Sequence, residues 1–456
     1  MFFDGGLFSM LFKLKRPRLY GGASDENYEL SRRRFILEGC LSNGIYTLTA
    51  GAFLAGYAKY LGASDQIIGL IAAMPLLANI LQMFSPIFLE KLASRKSLIV
   101  VTCMFYRLLL GLMIIIPLLT QNTTARLLLL GGMYFTAYLI FSFSNPAGGS
   151  WIISLVPERY RGRYFGLRDT FIISSAAVLS LSMGRILDIF KVSGREFLGF
   201  IVVFSVVLVI VVMNIYVLRK IKEPEIVPIS QNVDIKSLFT LPLKNKQFRS
   251  VVLLNAAWNF AAQISLPFFS VYMVTGLELS YTFIMFANIL LSVVQASTAK
   301  FWGKLADKFS WEVTTVASIG MLGLCHLTWA FVTKEICYVI IPFIQIVAGA
   351  GWSGVNMSLF NIQFKHAPQE GRTIFVGFNA AVAGLAGFAS ALLGAFLVGA
   401  LGKVKIDIGV TVLNNMLILF GLSGSLVILC AVIFAYKFRT NSGRKDNVNS
   451  DKYLAG

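Results

Sequence analysis

Twelve apolar stretches, each long enough to cross a hydrocarbon layer, leave this chain few folds to choose from. A bilayer core of about 30 Å needs about 20 apolar residues of helix. Such stretches fall roughly at 35–60, 66–89, 97–119, 127–155, 164–190, 197–218, 250–275, 281–302, 312–333, 337–362, 373–400 and 411–436. In lipid every backbone N–H and C=O must be satisfied within the protein, so runs of this length read as membrane helices. Composition agrees. Charged residues make up 14% of the chain, against about a quarter in a soluble domain. Met1–Phe12 contains Asp4 and precedes a basic cluster instead of following one, so the amino terminus does not read as a secretory leader. Met1–Tyr20 reads either as a short amphipathic surface helix or as a disordered tail.

A net charge of +18 invites comparison with nucleic-acid-binding proteins. The distribution of that charge argues otherwise. Arg32–Arg34, Arg95 and Lys96, Arg159–Arg168, the segment from Arg219 to Arg249, Lys300–Lys308, Lys365 and Arg372, and the basic carboxyl terminus all fall on one side if twelve helices alternate. The other side receives few basic residues, among them Lys59, Arg126, Lys191 and Lys334. Inside-positive loops explain the excess, so no nucleic-acid partner is expected and both termini are expected in the cytoplasm. The plasma (inner) membrane is the expected location, and the expected state is a monomer.

Other chemistries find little support. Cys40, Cys103, Cys325, Cys337 and Cys430 lie in apolar stretches without CxxC spacing and read as small buried hydrophobes. His326 and His366 are the only histidines, too few for a His-based metal site. There is no GxxxxGK[ST] phosphate loop. Neither a metal nor a cofactor is expected.

The polar stretch Arg219–Arg249 separates six spans from six and reads as a linker with at most one short surface helix. After the fourth span the chain runs Asn145-Pro146, then Pro157-Glu-Arg-Tyr-Arg161 and Gly166; after the tenth it runs Asn356, then Pro368-Gln-Glu-Gly-Arg372 and Gly377. Asn, Pro, Arg and Gly thus recur at a constant offset of about 211 residues, the kind of internal symmetry built by duplication. The expected organisation is a tail (1–31), a six-helix bundle (32–219), a linker (220–247), a second six-helix bundle (248–438) and a tail (439–456).

The junction Gly303-Lys-Leu-Ala-Asp307-Lys308-Phe309-Ser310 resembles the Gly-x-x-x-Asp-Arg/Lys-x-Gly loop signature of the major facilitator superfamily. Pro157-x-x-x-Arg161-Gly162 resembles that superfamily's loop after the fourth span. The first-half loop keeps Glu90 and Lys91 but lacks the glycine, and the span-5 antiporter run is absent from Thr170–Asp188. The resemblance, over roughly 32–438, implies an all-α polytopic membrane fold of twelve helices in two pseudo-symmetric six-helix bundles. It also implies a cytoplasmic gate built from Glu90, Lys91, Arg161, Gly303, Asp307, Lys308 and Arg372. A carboxylate at a helix end can accept the exposed N–H groups of a neighbouring helix; the alternative is an ordinary solvated loop pair.

Polar residues inside spans are the candidates for a solute cavity, because each is costly unless it faces the interior. Asn255, Asn259 and Gln263 form one helix stripe beside Trp258, while Asn43 and Tyr46 occupy the corresponding part of the first span. Asn145 and Trp151 in the fourth span, and Gln345, Trp352 and Asn356 in the tenth, complete a set suited to a neutral polar or amphipathic solute. Arg107 lies about 16 Å beyond Lys96, near mid-membrane. It reads as an anchor for an anionic substrate group, as a charge that modulates a protonatable carboxylate, or as half of a structural ion pair with Glu38, and Arg107→Ala is expected to abolish transport with folding largely intact. Glu38 is the candidate proton carrier, with pairing to Arg34 as the alternative. Asp188 reads as a rim partner of Arg185, and His326 as a hydrogen-bonded packing residue. The function expected is secondary transport of a small organic solute by alternating access, with a proton as the coupling candidate and no enzymatic activity. The alternatives are a polytopic acyl- or glycosyltransferase, or a receptor built on a transport-dead shell.

Overall fold

The computed structural model describes the backbone of residues 26–454 apart from 86, 88–93, 224–234, 369–370, 403 and 408–411. The tail before residue 26, with its two alternatives, lies outside the described residues. The architecture is a bundle of helices in chain order: α1 (Glu26–Thr49), α2 (Gly51–Tyr60), α3 (Asp65–Ala78), α4 (Lys96–Leu112), α5 (Thr123–Leu155), α6 (Arg161–Val192), α7 (Glu196–Arg219), α8 (Ile235–Lys244), α9 (Lys246–Gln263), α10 (Leu266–Val271), α11 (Tyr281–Lys308), α12 (Trp311–Trp329), α13 (Cys337–His366), α14 (Arg372–Ala400) and α15 (Asn415–Leu454). Short 3-10 or π turns continue α3 to Met83 and α10 to Gly276.

Among the described residues, ten of the resulting rods are long and apolar enough to cross a membrane, where the sequence predicts twelve. The two others are present in the bundle. The first, 35–60, is broken into α1 and α2, and α1 packs on α6 and α7. The ninth is α12, of 19 residues, packed on α13 and α15. The expected linker contains α8, whose Leu238 is fully buried. One feature departs from an all-helical chain: a two-residue antiparallel hairpin pairs Ile406 with Leu413 and Asp407 with Val412 between α14 and α15.

Helix starts follow local chemistry. The side chains of Asn122, Asn245, Ser280 and Ser310 each accept a backbone N–H at the start of α5, α9, α11 and α12. Such caps satisfy donors that a membrane helix end would otherwise leave open. At the end of α1 the chain breaks through Ala50 in extended conformation, then Gly51 at φ +55°. A β-carbon disfavours that left-handed backbone, so glycine permits the break.

Two helix pairs make the most extensive contacts between the halves. The extended α3 runs along α14, and α6 along α11. The first contact depends on small residues: a Cβ on Gly384 would collide with the carbonyl oxygen of Leu76, and one on Gly377 would crowd the backbone of Gln82 and Met83. Backbones that approach this closely pack through van der Waals contact without a hydrophobic driving force. Gly384→Ala is therefore expected to cost about 1–3 kcal/mol, seen as a lower melting temperature of the purified protein. Gly132, in the middle of α5 with nothing near its would-be Cβ, is the control; Gly132→Ala should be neutral or stabilising by up to ~1 kcal/mol.

Candidate solute cavity and its two ends

The break in the first span opens onto a cavity. Opposed helix ends meet there: the last carbonyls of α1 and the first N–H groups of α2, which no side chain caps. A cavity of about 340 Å³ lies against them, between α1–α2 and α6 of the first half and α11 of the second. Its polar lining is Asn43, Tyr46, Thr47, Ser180, Asn288 and Ser292; Ile173, Met285 and Ile289 supply the apolar wall. Tyr46, in the last turn of α1, keeps 59% of its surface open, which its place on this cavity explains. Thr47 Oγ1 donates to Asn43 Oδ1 at 3.1 Å, and Gln345 Nε2 on α13 donates to Asn288 Oδ1 at 3.3 Å. The cavity amides are thus held by neighbours that accept or donate on one side only.

The charge behind this wall is neutralised. Arg107 on α4, only 3% exposed, donates from Nη2 to Glu38 Oε1 at 3.0 Å and to Ser42 Oγ at 2.8 Å. Its Nε donates to the Tyr106 hydroxyl at 2.8 Å, and its Nη1 to Asn214 Oδ1 on α7. Asn214 Nδ2 in turn donates to the Glu38 carbonyl oxygen at 3.1 Å. Of the expected roles of Arg107, the structure builds the ion pair with Glu38 and leaves Arg107 outside the cavity lining. Arg34 does not pair with Glu38; it donates to the carbonyl oxygen of Lys220 at 2.7 Å. Removing one partner of such a pair strands a buried charge. Arg107→Ala would leave the Glu38 carboxylate buried without its partner, so folding is not expected to stay intact in that variant.

One end of the cavity is tied shut across the halves. Asp188, near the end of α6, accepts the Tyr281 N–H at 2.7 Å on Oδ1, and the Thr282 N–H at 2.9 Å and hydroxyl at 2.6 Å on Oδ2. Its carboxylate seats on the open N–H groups that begin α11, where the helix dipole favours negative charge. The expected rim bridge to Arg185 is not made; helix-end N–H groups take the acid instead. Around this contact Phe53 stacks on Tyr281 with centroids 6.2 Å apart, and the Tyr281 hydroxyl fills the space left by the missing side chain of Gly56.

At the opposite, basic end the expected gate residues stay apart. Asp307 is exposed and makes no hydrogen bond or ion pair with any described residue. Lys308 lies over the Phe309 ring, and Arg372 over Phe364 at 5.4 Å. Arg161 bonds to Glu158 and to the carbonyl of Val156 in its own half. Gly303 on α11 has Met357 nearest its would-be Cβ. Glu90 and Lys91 lie outside the described residues. The capping device expected here is present in another acid: Glu223 of the linker accepts the Arg95 N–H at 2.8 Å, the Lys96 N–H at 3.1 Å and the Ser94 hydroxyl at 2.7 Å at the start of α4.

Of the expected cavity set, Asn43 and Tyr46 line this cavity. Gln345 stands one hydrogen bond behind it. Asn255 and Asn259 donate to their own helix's carbonyls at i−4, and Gln263 packs where Gly387 of α14 leaves room. Trp258 meets Trp352 edge to face at 5.8 Å. Trp151, fully buried, packs on Phe35 and donates to the Lys222 carbonyl near the basic end. Asn145 and Asn356 are exposed and absent from the cavity lining. His326 is packed edge-on to Phe269 and bonded to Ser265 and Ser423 through Nδ1. Asn288, Ser292, Ser180 and Asn214 escaped the sequence reading. Asn214, the lone amide of α7, was findable by the rule that intramembrane polar groups are functional or paired. Asn288 and Ser292 share one helix face, but only the packing of α11 on α6 turns that face into a cavity wall.

The comparisons agree with this architecture. A family model described as Major Facilitator Superfamily matches residues 36–391. The chain belongs to that family and is an integral membrane protein. An uncharacterized MFS-type transporter of Methanocaldococcus jannaschii is 26% identical over 265 residues, covering 56% of this chain. The chain spans 64% of that relative's length. Among solved structures, the POT family transporter PepTSo superposes with a TM-score of 0.68 at 11% identity, over 92% of this chain and 99% of its own. A variant of the nucleoside transporter NupG does so with a TM-score of 0.66 at 11% identity, over 90% and 100%. Likeness at that identity is likeness of fold.

Two outcomes check the geometry. Arg107→Ala should destabilise the protein by about 3–5 kcal/mol, read as a large fall in melting temperature, and Arg107→Met combined with Glu38→Gln should recover most of it. Asp188→Ala should loosen the closed end by about 1 kcal/mol, about fivefold in population. The readout is faster labelling of a cysteine introduced at Ser180 by a membrane-impermeant thiol reagent from that face.

Proposed function

We propose that the protein is a secondary transporter that moves a small organic solute by alternating access, the two halves rocking about the cavity between α1, α6 and α11. The observation that carries this reading is the inequality of the cavity's two ends. Asp188 spans the halves with three hydrogen bonds at one end. At the other, Arg161 makes its contacts within its own half and Asp307 reaches no described partner. A rocking transporter makes and breaks such contacts in alternation, and its halves touch through surfaces able to slide, as the glycines of α14 on α3 allow.

The basic clusters support a cytoplasmic position for both termini and residence in a plasma (inner) membrane. The protein works as a monomer driven by an ion or solute gradient. Glu38 is the acid on which proton coupling runs, since its carboxylate, 3.0 Å from Arg107, lies on the same helix as Asn43 of the cavity, about 7.5 Å of helix rise away.

Uptake into proteoliposomes of radiolabelled sugars, nucleosides and amides, with and without an imposed pH gradient, tests the reading. Accumulation above equilibrium that collapses when the gradient is dissipated, and is lost in Glu38→Gln, is the expected result. Chemical turnover without accumulation would identify an enzyme, and binding without flux a receptor.

A further inference from the structure

Resting on the transport reading for its setting, we infer that the cavity at the Gly51 break recognises an uncharged solute that carries amide or hydroxyl groups on one face and apolar surface on the other. The lining holds six neutral hydrogen-bonding side chains and no Asp, Glu, Lys, Arg or His. Behind the wall Arg107 and Glu38 are buried and satisfy one another, Asn214, Ser42 and Tyr106 engage the remaining guanidinium N–H groups, and Arg168, which packs against Gly39, pairs with Asp169 at 3.8 Å. No charged side chain among the described residues lines the space to serve a solute as counter-ion. A carboxylate or ammonium entering this space would surrender its hydration without a partner, and an isolated charge in a low-dielectric interior is heavily penalised.

The backbone at the break is polar without being charged. The carbonyl end of α1 carries the negative pole of one helix dipole and the N–H end of α2 the positive pole of another, so the two offset each other at the same place. What remains is a set of donors and acceptors. The Asn43 amide accepts from Thr47 through its oxygen, and the Asn288 amide accepts from Gln345 through its oxygen. Both amide nitrogens, with the Tyr46 hydroxyl, stay available for acceptors on a solute. Thr47 is committed to Asn43, and Ser292 to the Asn288 carbonyl at 2.9 Å, so these groups position the amides. Met285, Ile289 and Ile173 close the opposite side. A volume of about 340 Å³ sits at the low end of the range for small-molecule sites, about 300–1,000 Å³.

Matched probes of like shape and different charge test the inference: nicotinamide against nicotinate, and glucose against glucuronate and glucosamine. Binding to the purified full chain is followed at neutral pH by thermal shift and calorimetry. At least one uncharged probe is expected to bind, with its charged counterpart at least tenfold weaker. Asn288→Ala should weaken the uncharged probe at least tenfold. Tyr46→Phe, which keeps the ring, should weaken it several-fold, so that a folding defect in the first variant cannot decide the matter. Equal or tighter binding of a charged probe overturns the inference, as does undiminished binding in both variants or no binding by either uncharged probe. Labelled probes in proteoliposomes separate this claim from the transport reading. Uncharged probes that bind but do not cross leave the site chemistry standing and sink transport. Charged probes that cross through the wild-type protein but not through protein-free vesicles leave transport standing and sink the site chemistry.

Discussion

A charge placed inside a bundle surrounded by hydrocarbon must be answered by its immediate neighbours, and in this protein the pairing of Arg107 with Glu38 does so for the first half. The guanidinium reaches groups on three helices: Glu38 and Ser42 on α1, Tyr106 on its own α4, and Asn214 on α7. Each bond satisfies a polar atom that lipid could not. The consequence is positional, because α1 is held in register with α4 and α7 just before it breaks at Ala50 and Gly51. The cavity exists where it does because a fixed rod ends there, and its lining carries no charged side chain because the pair behind it is turned away into the bundle.

One device recurs at different sites in the fold. A carboxylate from one segment seats on the open N–H groups of another segment's helix. Glu223 does this for α4 within the basic end, and Asp188 does it for α11 across the halves. The first fastens the linker to the first half. The second binds α6 to α11, and those two helices also form the cavity walls. An acid and two backbone donors make a contact strong enough to hold an end closed, yet with no covalent or metal link to prevent its release. Asp307 has the right residue type for the same role at the basic end and makes no such contact with a described residue.

Some of this was legible in the residue order. The apolar runs locate the spans within a few residues because their length is dictated by the thickness of the hydrocarbon. Asn43 and Tyr46 were visible as polar groups in a costly place, as was Arg107. The Glu38 pairing was one of two choices that sequence spacing left open, and Asp188 was assigned to Arg185 because neighbours along one helix are the only neighbours a sequence reveals. The tryptophans and the Asn255 stripe misled for a related reason. A polar or amphipathic residue in a span can be satisfied by its own helix, as Asn259 is by the Asn255 carbonyl, or by an aromatic partner, as Trp258 is by Trp352. Either option removes the need to face a cavity.

Hydropathy and loop charge were sufficient for the class of fold, because those properties are set by the solvent the chain inhabits, and the family showed in the loop residues Gly303–Ser310 and Pro157–Gly162 that resemble its signature. Which polar atoms meet was settled only by tertiary packing. Helix rotation decides which face looks at which neighbour, and a rotation of a few tens of degrees moves Asn288 from a helix seam to a cavity wall or takes Asp188 from its own helix's arginine to another helix's amides.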